Sequence, residues 1–168
     1  MSRVFCVADL HFGHTNMALH RGFKSTEEHD ELIIYNWNKV ICKRDVVYIL
    51  GDLTMEKDLY AQYLPKLNGI KNIVLGNHDM PQHVPSLLKY VNKVSGMFDY
   101  KGGVLTHCPI HPMEIADRGY LFNIHGHIHE KTINDNRYKC VSLEQINYQP
   151  ILMNEILTQM YNEKNNNN

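Results

Sequence analysis

Five short segments hold most of the residues that could bind a transition-metal ion. They are Asp9-Leu10-His11, Gly51-Asp52, Gly76-Asn77-His78-Asp79, Thr106-His107 and Gly126-His127-Ile128-His129. Histidine is the commonest ligand of transition metals, and it also transfers protons near neutral pH. A set of carboxylate, imidazole and amide groups without a thiolate suits Mn, Fe, Ni or Zn rather than a structural cysteine zinc site. The donors are too many for one tetrahedral ion and are sufficient for two.

The spacing inside two of these segments favours shared ligation. Asp9 and His11 are separated by one residue, so in extended backbone their side chains would point the same way and could grip one ion. His127 and His129 have the same spacing, although in a loop they could instead serve neighbouring ions. Glycines 51, 76 and 126 permit tight turns and a close backbone approach at these positions.

Most of these segments follow an apolar run that we expect to be a β-strand. Strand patterns cover Arg3 to Ala8, Asp45 to Leu50 and Lys71 to Leu75, with weaker ones at Gly103 to Thr106, Tyr120 to Ile124 and Tyr138 to Leu143. The near-continuous apolar character of the first three is typical of central strands that are covered on both faces. Ligands of open α/β sheets bind at the carboxyl ends of the strands. We therefore expect the five segments to converge in space.

Helical patterns alternate with the strands, which indicates a layered α/β fold. Ser25 and Glu28 have the spacing of a capping box, and the apolar residues from Leu32 to Ile41 recur at helical spacing behind them. A second helix is predicted from Leu59 to Leu67, and a third after Pro81.

The composition limits the class of protein. The chain has 168 residues, 43% of them hydrophobic, which suits one globular domain. We expect this domain to span residues 1–164 and the asparagines at 165–168 to be disordered. The net charge of -1 excludes a strongly basic surface over the whole chain.

The sequence lacks several features of membrane and secreted proteins, which indicates the compartment in which the protein is expected. No apolar stretch approaches the roughly 18 residues of a membrane span, and the chain does not start with the layout of a signal peptide. The four cysteines lie far apart, which argues against a disulfide framework and a zinc ribbon. This pattern fits a reducing compartment, and we expect a cytoplasmic location.

The ordered set of motifs resembles the calcineurin-like metallophosphoesterase family. The set is Asp9-x-His11, Gly51-Asp52, Gly76-Asn77-His78-Asp79, His107 and Gly126-His127-x-His129. Each block alone is weak, whereas five blocks in this order across residues 9–129 are highly specific. The segment from Asp9 to His14 further resembles small bacterial and phage phosphoesterases. The resemblance implies a layered α-β-β-α sandwich, in which two mixed sheets lie between helices.

The resemblance also implies two divalent transition-metal ions, with manganese preferred and iron, nickel or zinc as alternatives. The first ion would be held by Asp9, His11 and His129, the second by Asn77, His107 and His127, and Asp52 would bridge both. His78 matches the family's catalytic histidine, which would protonate or stabilise the leaving oxygen. Asp79 would orient His78 by accepting its other ring proton.

The implied reaction is hydrolysis of a phosphate ester. Two ions can clamp a phosphate and lower the pKa of a bridging water from 15.7 to about 7, so that the resulting hydroxide attacks phosphorus. A short chain leaves little room for a cap, so we expect phosphodiester substrates such as a nucleotide, a cyclic nucleotide or an RNA end. The near-neutral charge argues against dedicated binding of duplex DNA.

Two alternatives to a diesterase remain open. One is a phosphomonoesterase of the same fold. The other is a non-catalytic interaction scaffold, against which the retention of His78 and Asp52 argues. The sequence leaves the oligomeric state undefined.

Several other residues near the motifs have two alternative roles each. His14, Arg21 and Arg118 could contact a substrate phosphate, with a backbone-bonded histidine or solvated arginines as the alternative. We expect His125 to face away from the ions because side chains alternate along a strand. Cys108 is expected to be a small packing residue, with oxidation or metal capture beside the site as the alternative. Histidines without a motif are expected to be solvated: His20, His29, His83 and His111.

Overall fold

The three strongest apolar runs of the sequence lie in a five-stranded sheet in the computed structural model, which describes residues 2–166. Its strands, in spatial order, are β4 (Lys93–Ser95), β3 (Ile70–Val74), β2 (Val46–Leu50), β1 (Val4–Val7) and β9 (Ile151–Leu152). The first four are parallel, and β9 runs antiparallel to β1. The loops that follow β1, β2 and β3 therefore leave the sheet at the same edge.

The second sheet has four strands. In spatial order they are β5 (Phe98–Tyr100), β6 (Gly103–Leu105), β7 (Asn123–His125) and β8 (Tyr138–Cys140). β6, β7 and β8 are parallel, and β5 is antiparallel to β6. An isolated parallel bridge between Ala8 and Ser142 joins the end of β1 to the segment after β8. The carboxyl ends of strands from both sheets therefore meet at one place.

Six α-helices accompany the sheets within the described residues 2–166. They are α1 (Thr15–His20), α2 (Thr26–Val40), α3 (Tyr60–Tyr63), α4 (Val84–Leu87), α5 (Pro112–Asp117) and α6 (Met153–Asn166). Helix α2 starts as the capping-box spacing predicts, because the Ser25 hydroxyl accepts a hydrogen bond from the Glu28 backbone N–H at 3.2 Å. Within residues 2–166, no helix is long and apolar enough to cross a membrane.

One hydrophobic core connects the layers. Helix α2 buries Ile33 and Trp37, and the same cluster contains Ile49 of β2 and Ile124 of β7. The ring of Tyr48 in β2 also meets two aromatic rings of β5. Two mixed sheets flanked by helices confirm the predicted α-β-β-α fold.

Two of the differences between the structure and the predicted elements have a local physical reason. The helix expected from Leu59 to Leu67 is divided into α3 and a 3₁₀ turn at Leu64–Lys66, because Pro65 cannot donate to the helical ladder. Helix α6 reaches Asn166, so two of the four residues expected to be disordered are helical. Adding residues to an existing helix requires no new nucleus, which explains why α6 continues through Asn165 and Asn166. Residues 167–168 lie outside the described residues.

Candidate active site

The five metal-capable segments meet where the two sheets join. Asp9 follows β1, and its backbone N–H donates to the Gly51 carbonyl at 3.1 Å. In the second sheet, the Gly126 N–H donates to the His107 carbonyl at 2.9 Å. The two halves are connected directly, because the His127 N–H donates to Asp9 Oδ2 at 2.9 Å. Convergence at the carboxyl ends of the strands is therefore present as expected.

Asp9, His11 and His129 form the first cluster of donor atoms. One ligand atom from each lies within 4.8 Å of the other two, and the His11 and His129 rings stack with centroids 5.3 Å apart. Asp9 Oδ1 and both ring nitrogens of His11 are buried without a hydrogen-bond partner among residues 2–166. Burying unpaired polar atoms is costly, and a bound cation would remove this cost. The donors present therefore fit a metal ion.

A second cluster surrounds Asp52. Its Oδ2 atom lies 3.4 Å from His107 Nε2 and 3.7 Å from His11 Nε2, so it stands between the two groups of donors. Asn77 Oδ1 is 2.9 Å from His107 Nε2, and the His127 ring lies 5.0 Å from the His107 ring. This arrangement has the donors that a second ion would need, with Asp52 shared between both.

Five of the predicted ligands have an unusual backbone conformation. They are Asp9 (φ 58°), His11 (φ 49°), Asp52 (φ 54°), His127 (φ 70°) and His129 (φ 54°). Residues other than glycine rarely adopt positive φ, and such strain clusters at functional sites. The extended backbone expected for the Asp9–His11 pair was wrong, because left-handed turns bring these two side chains together instead. His127 and His129 lie in a loop and belong to neighbouring clusters, which agrees with the alternative to shared ligation.

His78 lies beside the first cluster with a partner that the sequence did not indicate. Its ring centroid is 5.7 Å from that of His11, and its Nδ1 lies 3.7 Å from Glu56 Oε1. Asp79 does not contact the His78 ring. Its carboxylate accepts backbone N–H bonds from Asp52, Leu53 and Gly76 at 2.8–3.1 Å. The orienting role predicted for Asp79 is therefore wrong, because the buried carboxylate serves the loop backbone.

A comparison with known families gives a match over residues 2–166 to the calcineurin-like phosphoesterases. The chain belongs to this family. An uncharacterised protein of Methanocaldococcus jannaschii is 32% identical, over 94% of this chain and 90% of that protein. Membership supports metal-dependent phosphoesterase activity and agrees with the donor clusters.

Two solved structures resemble this phosphoesterase. AQ665 of Aquifex aeolicus, a protein of unknown function, has a TM-score of 0.72 and 27% identity, covering 95% of this chain and 100% of that one. The Pseudomonas putida nuclease MPE has a TM-score of 0.52 and 20% identity, covering 76% of this chain and 62% of the nuclease. The second likeness shows the fold alone.

Burial and ion pairing set the electrostatics of the phosphoesterase site. Burial lowers the pKa of His11 to about 3, so its imidazole is neutral and able to accept a metal at neutral pH. Burial alone would raise the pKa of Asp52, but the hydrogen bond from His107 and the nearby His107 charge lower it. Burial would lower the pKa of His107, and its bond to Asp52 raises it.

The three candidates for substrate contact occupy different environments. The His14 ring is half-buried, with its centroid 5.8 Å from that of His11, so it lies at the site. Arg118 is exposed and pairs with Glu114 at 3.0 Å. The Arg21 side chain is 0% exposed and bonds to Glu144, so the solvated alternative for Arg21 was wrong.

The remaining histidines mostly follow expectation. His20 and His111 are exposed as predicted, and His83 is half-buried. His125 is buried with Nδ1 2.8 Å from the Gly126 carbonyl, and it belongs to none of the donor clusters found within residues 2–166. His29 is 0% exposed, so its predicted solvation was wrong. Its ring contacts the Asp30 carboxylate, which supplies the hydrogen bond that water would have made.

Cys108 also departs from its predicted packing role. It is exposed, and its Sγ forms a donor group with His107 and His127 whose atoms all lie within 4.8 Å. The turn after β6 carries the cysteine out of the core, so the thiol lies at the edge of the second cluster. It is therefore a candidate donor beside that cluster, as in the alternative of metal capture, rather than a core side chain.

Gly126 allows the close approach of the two sheets, and its substitution provides a test. A Cβ atom at this position would lie 2.5 Å from Ala8 Cβ and 2.6 Å from Asp9 Oδ2. Gly126→Ala should therefore displace Asp9, destabilise the protein by about 1–3 kcal/mol and weaken binding of manganese. Thermal unfolding and calorimetric titration with manganese would measure these effects.

Gly96 provides the matched control, because an added Cβ would meet no atom within 4 Å and no positive φ is recorded there. Gly96→Ala should behave as the unmodified protein in both measurements. Normal manganese affinity in Gly126→Ala would contradict the role given to this close contact.

Proposed function

We propose that this protein is a dinuclear metal-dependent phosphodiesterase that hydrolyses small phosphate esters, such as a nucleotide, a cyclic nucleotide or an RNA end. The observation that carries the proposal is the position of Asp52, whose Oδ2 lies 3.4 Å from His107 Nε2 and 3.7 Å from His11 Nε2. One carboxylate between two imidazole-containing clusters is suited to join two ions. The cysteines are free, as expected for a reducing compartment such as the cytoplasm.

Each cluster would hold one divalent ion, with manganese as the favoured metal. When bound, two such ions clamp a phosphate and lower the pKa of a water molecule. The carboxylate and amide oxygens suit manganese, and the imidazole nitrogens also suit iron, nickel or zinc. Buried Asp9 and His11 would form the floor of the site, while exposed Asn77 and His127 would form its solvent-facing side.

His78 would hold the proton that the leaving oxygen needs. Its ring is close to His11 but only half-buried, so it can contact a substrate that enters from solvent. The Glu56 carboxylate, 3.7 Å from Nδ1, would favour one orientation of the ring. His14, at the same entrance, would bind a phosphate oxygen. The solvent-facing donors leave room for groups on both sides of a phosphate, which favours diesters.

The test is hydrolysis of bis-p-nitrophenyl phosphate and of p-nitrophenyl phosphate by metal-stripped protein that has been reconstituted with manganese. We expect turnover that depends on manganese and is faster for the diester. Faster turnover of the monoester would support the phosphomonoesterase alternative. No turnover of either ester with two ions bound would contradict the proposed activity and favour a scaffold.

A further inference from the structure

A buried arginine beside the first donor cluster has its hydrogen bonds committed to the protein. The Arg21 side chain is 0% exposed. Its Nη2 donates to the Asp9 carbonyl at 2.8 Å, and its Nη1 lies 3.4 Å from the Leu10 carbonyl and 2.9 Å from His29 Nε2. Its Nε donates to Glu144 Oε1 at 2.8 Å. A guanidinium held this way has little capacity to bind a substrate phosphate.

Glu144 connects this arginine to a predicted metal ligand. The same Oε1 atom that accepts from Arg21 lies 3.0 Å from His129 Nδ1. A carboxylate on Nδ1 places the ring proton there, so Nε2 keeps its lone pair for a metal ion.

The arginine also reaches the segment that carries the other two donors of the first cluster. His29 Nδ1 lies 2.7 Å from Asp30 Oδ1, and Asp30 Oδ2 accepts the Gly13 N–H at 2.9 Å. Together with the bonds from Arg21 to the carbonyls of residues 9 and 10, these contacts hold the loop on both sides of His11. Asp9 and His11 have positive φ, and residues in such conformations persist only where the surroundings impose them.

We infer that Glu144 and Arg21 are positioning residues for the first metal ion. Glu144 fixes the tautomer and orientation of His129, while Arg21 holds Glu144 and the loop that carries Asp9 and His11. This inference rests on the proposed function, since it takes His129 as a ligand. It assigns Arg21 to metal binding through other residues, in place of contact with substrate.

The test is a calorimetric titration of the metal-stripped protein with manganese. Glu144→Gln keeps the shape of the side chain but removes its charge, and it should weaken one of two manganese sites by about 10–100-fold while the other site is unchanged. The matched control is Glu114→Gln, because Glu114 pairs with Arg118 at 3.0 Å on the exposed surface. This control should bind both ions as the unmodified protein does.

A second variant covers the case in which Glu144→Gln does not fold. Arg21→Gln combined with Glu144→Gln removes both buried charges, and its folding is checked by circular dichroism. The double variant should fold, and one of its two manganese sites should still show weakened binding. The ¹⁵N spectrum of His129 should show a proton fixed on Nδ1 in the unmodified protein and a mixture of tautomers in the double variant. A purely structural ion pair would not change this spectrum.

Several results would overturn the inference. One such result is that the folded variants bind manganese at both sites with the affinity of the unmodified protein. Another is that both sites lose the same affinity for manganese while the unfolding temperature falls. If Arg21→Lys raised KM but left the affinity for manganese unchanged, Arg21 would instead be a residue that binds the substrate phosphate.

His129→Ala separates this inference from the proposed function. If His129→Ala binds both ions normally, the proposed ligand set fails. If it loses one ion while Glu144→Gln loses none, only the positioning role fails.

Discussion

Replacing His78 with alanine is expected to lower kcat on an aryl phosphodiester by about 10²–10⁴-fold, the usual contribution of a general acid, while two manganese ions remain bound. The His78 ring contacts the edge of the first cluster without belonging to any of the donor groups found among residues 2–166. Its loss therefore removes a proton donor but no ligand. Steady-state kinetics and calorimetric titration of the same preparation would measure both quantities.

The dependence on the leaving group makes this test sharper. An ester with a poor leaving group needs the proton more than a nitrophenyl ester does, so the loss in kcat should grow as the leaving group worsens. His111→Asn is the matched control, since His111 is an exposed histidine that caps α5 through a bond from the Met113 N–H, and asparagine can also cap a helix. Equal losses for good and poor leaving groups would remove His78 from proton transfer.

Asp52→Asn is expected to weaken binding of both ions by more than about 100-fold, beyond the 10–100-fold typical of residues that only support a ligand. Asp52 is 2% exposed, and its Oδ2 atom faces both His11 and His107. Asparagine keeps the shape of the side chain but offers one neutral oxygen instead of a carboxylate. Turnover should fall with occupancy, and excess manganese should restore part of it.

The control for this prediction is Asp117→Asn, because Asp117 is an exposed carboxylate in α5. It should bind two ions with unchanged affinity. Retention of two tightly bound manganese ions by Asp52→Asn would contradict a bridging carboxylate. Loss of one ion alone would indicate that Asp52 is a ligand of a single site.

Part of the fold and most of the candidate site follow from local sequence patterns. Continuous apolar runs predicted β1, β2 and β3, because a strand that is covered on both faces needs apolar side chains on both. The donor residues directly after these runs were then expected at one edge, since parallel strands end together. The structure places Asp9 and Asp52 at that edge as predicted. The short strands β4, β5 and β9 carry too few residues for a recognisable period.

Sequence patterns alone could not have identified the residues that support the ligands. Arg21 and Glu144 bond to each other across 123 residues, and Ser142 donates to Asp9 across 133. No local spacing encodes such pairs. The prediction that His29 is solvated also failed, because in the folded structure its ring bonds to the Arg21 side chain and to Asp30 instead of water.

The sequence by itself determined the candidate donor residues and the apolar strands that precede them, since strand period and motif spacing are local properties. Only the tertiary structure decided how the ligands are held. It placed five of them in left-handed conformations, paired His78 with Glu56 instead of Asp79, and buried Arg21 against Glu144. These features depend on hydrogen bonds and close packing between distant segments, which form only when both sheets meet.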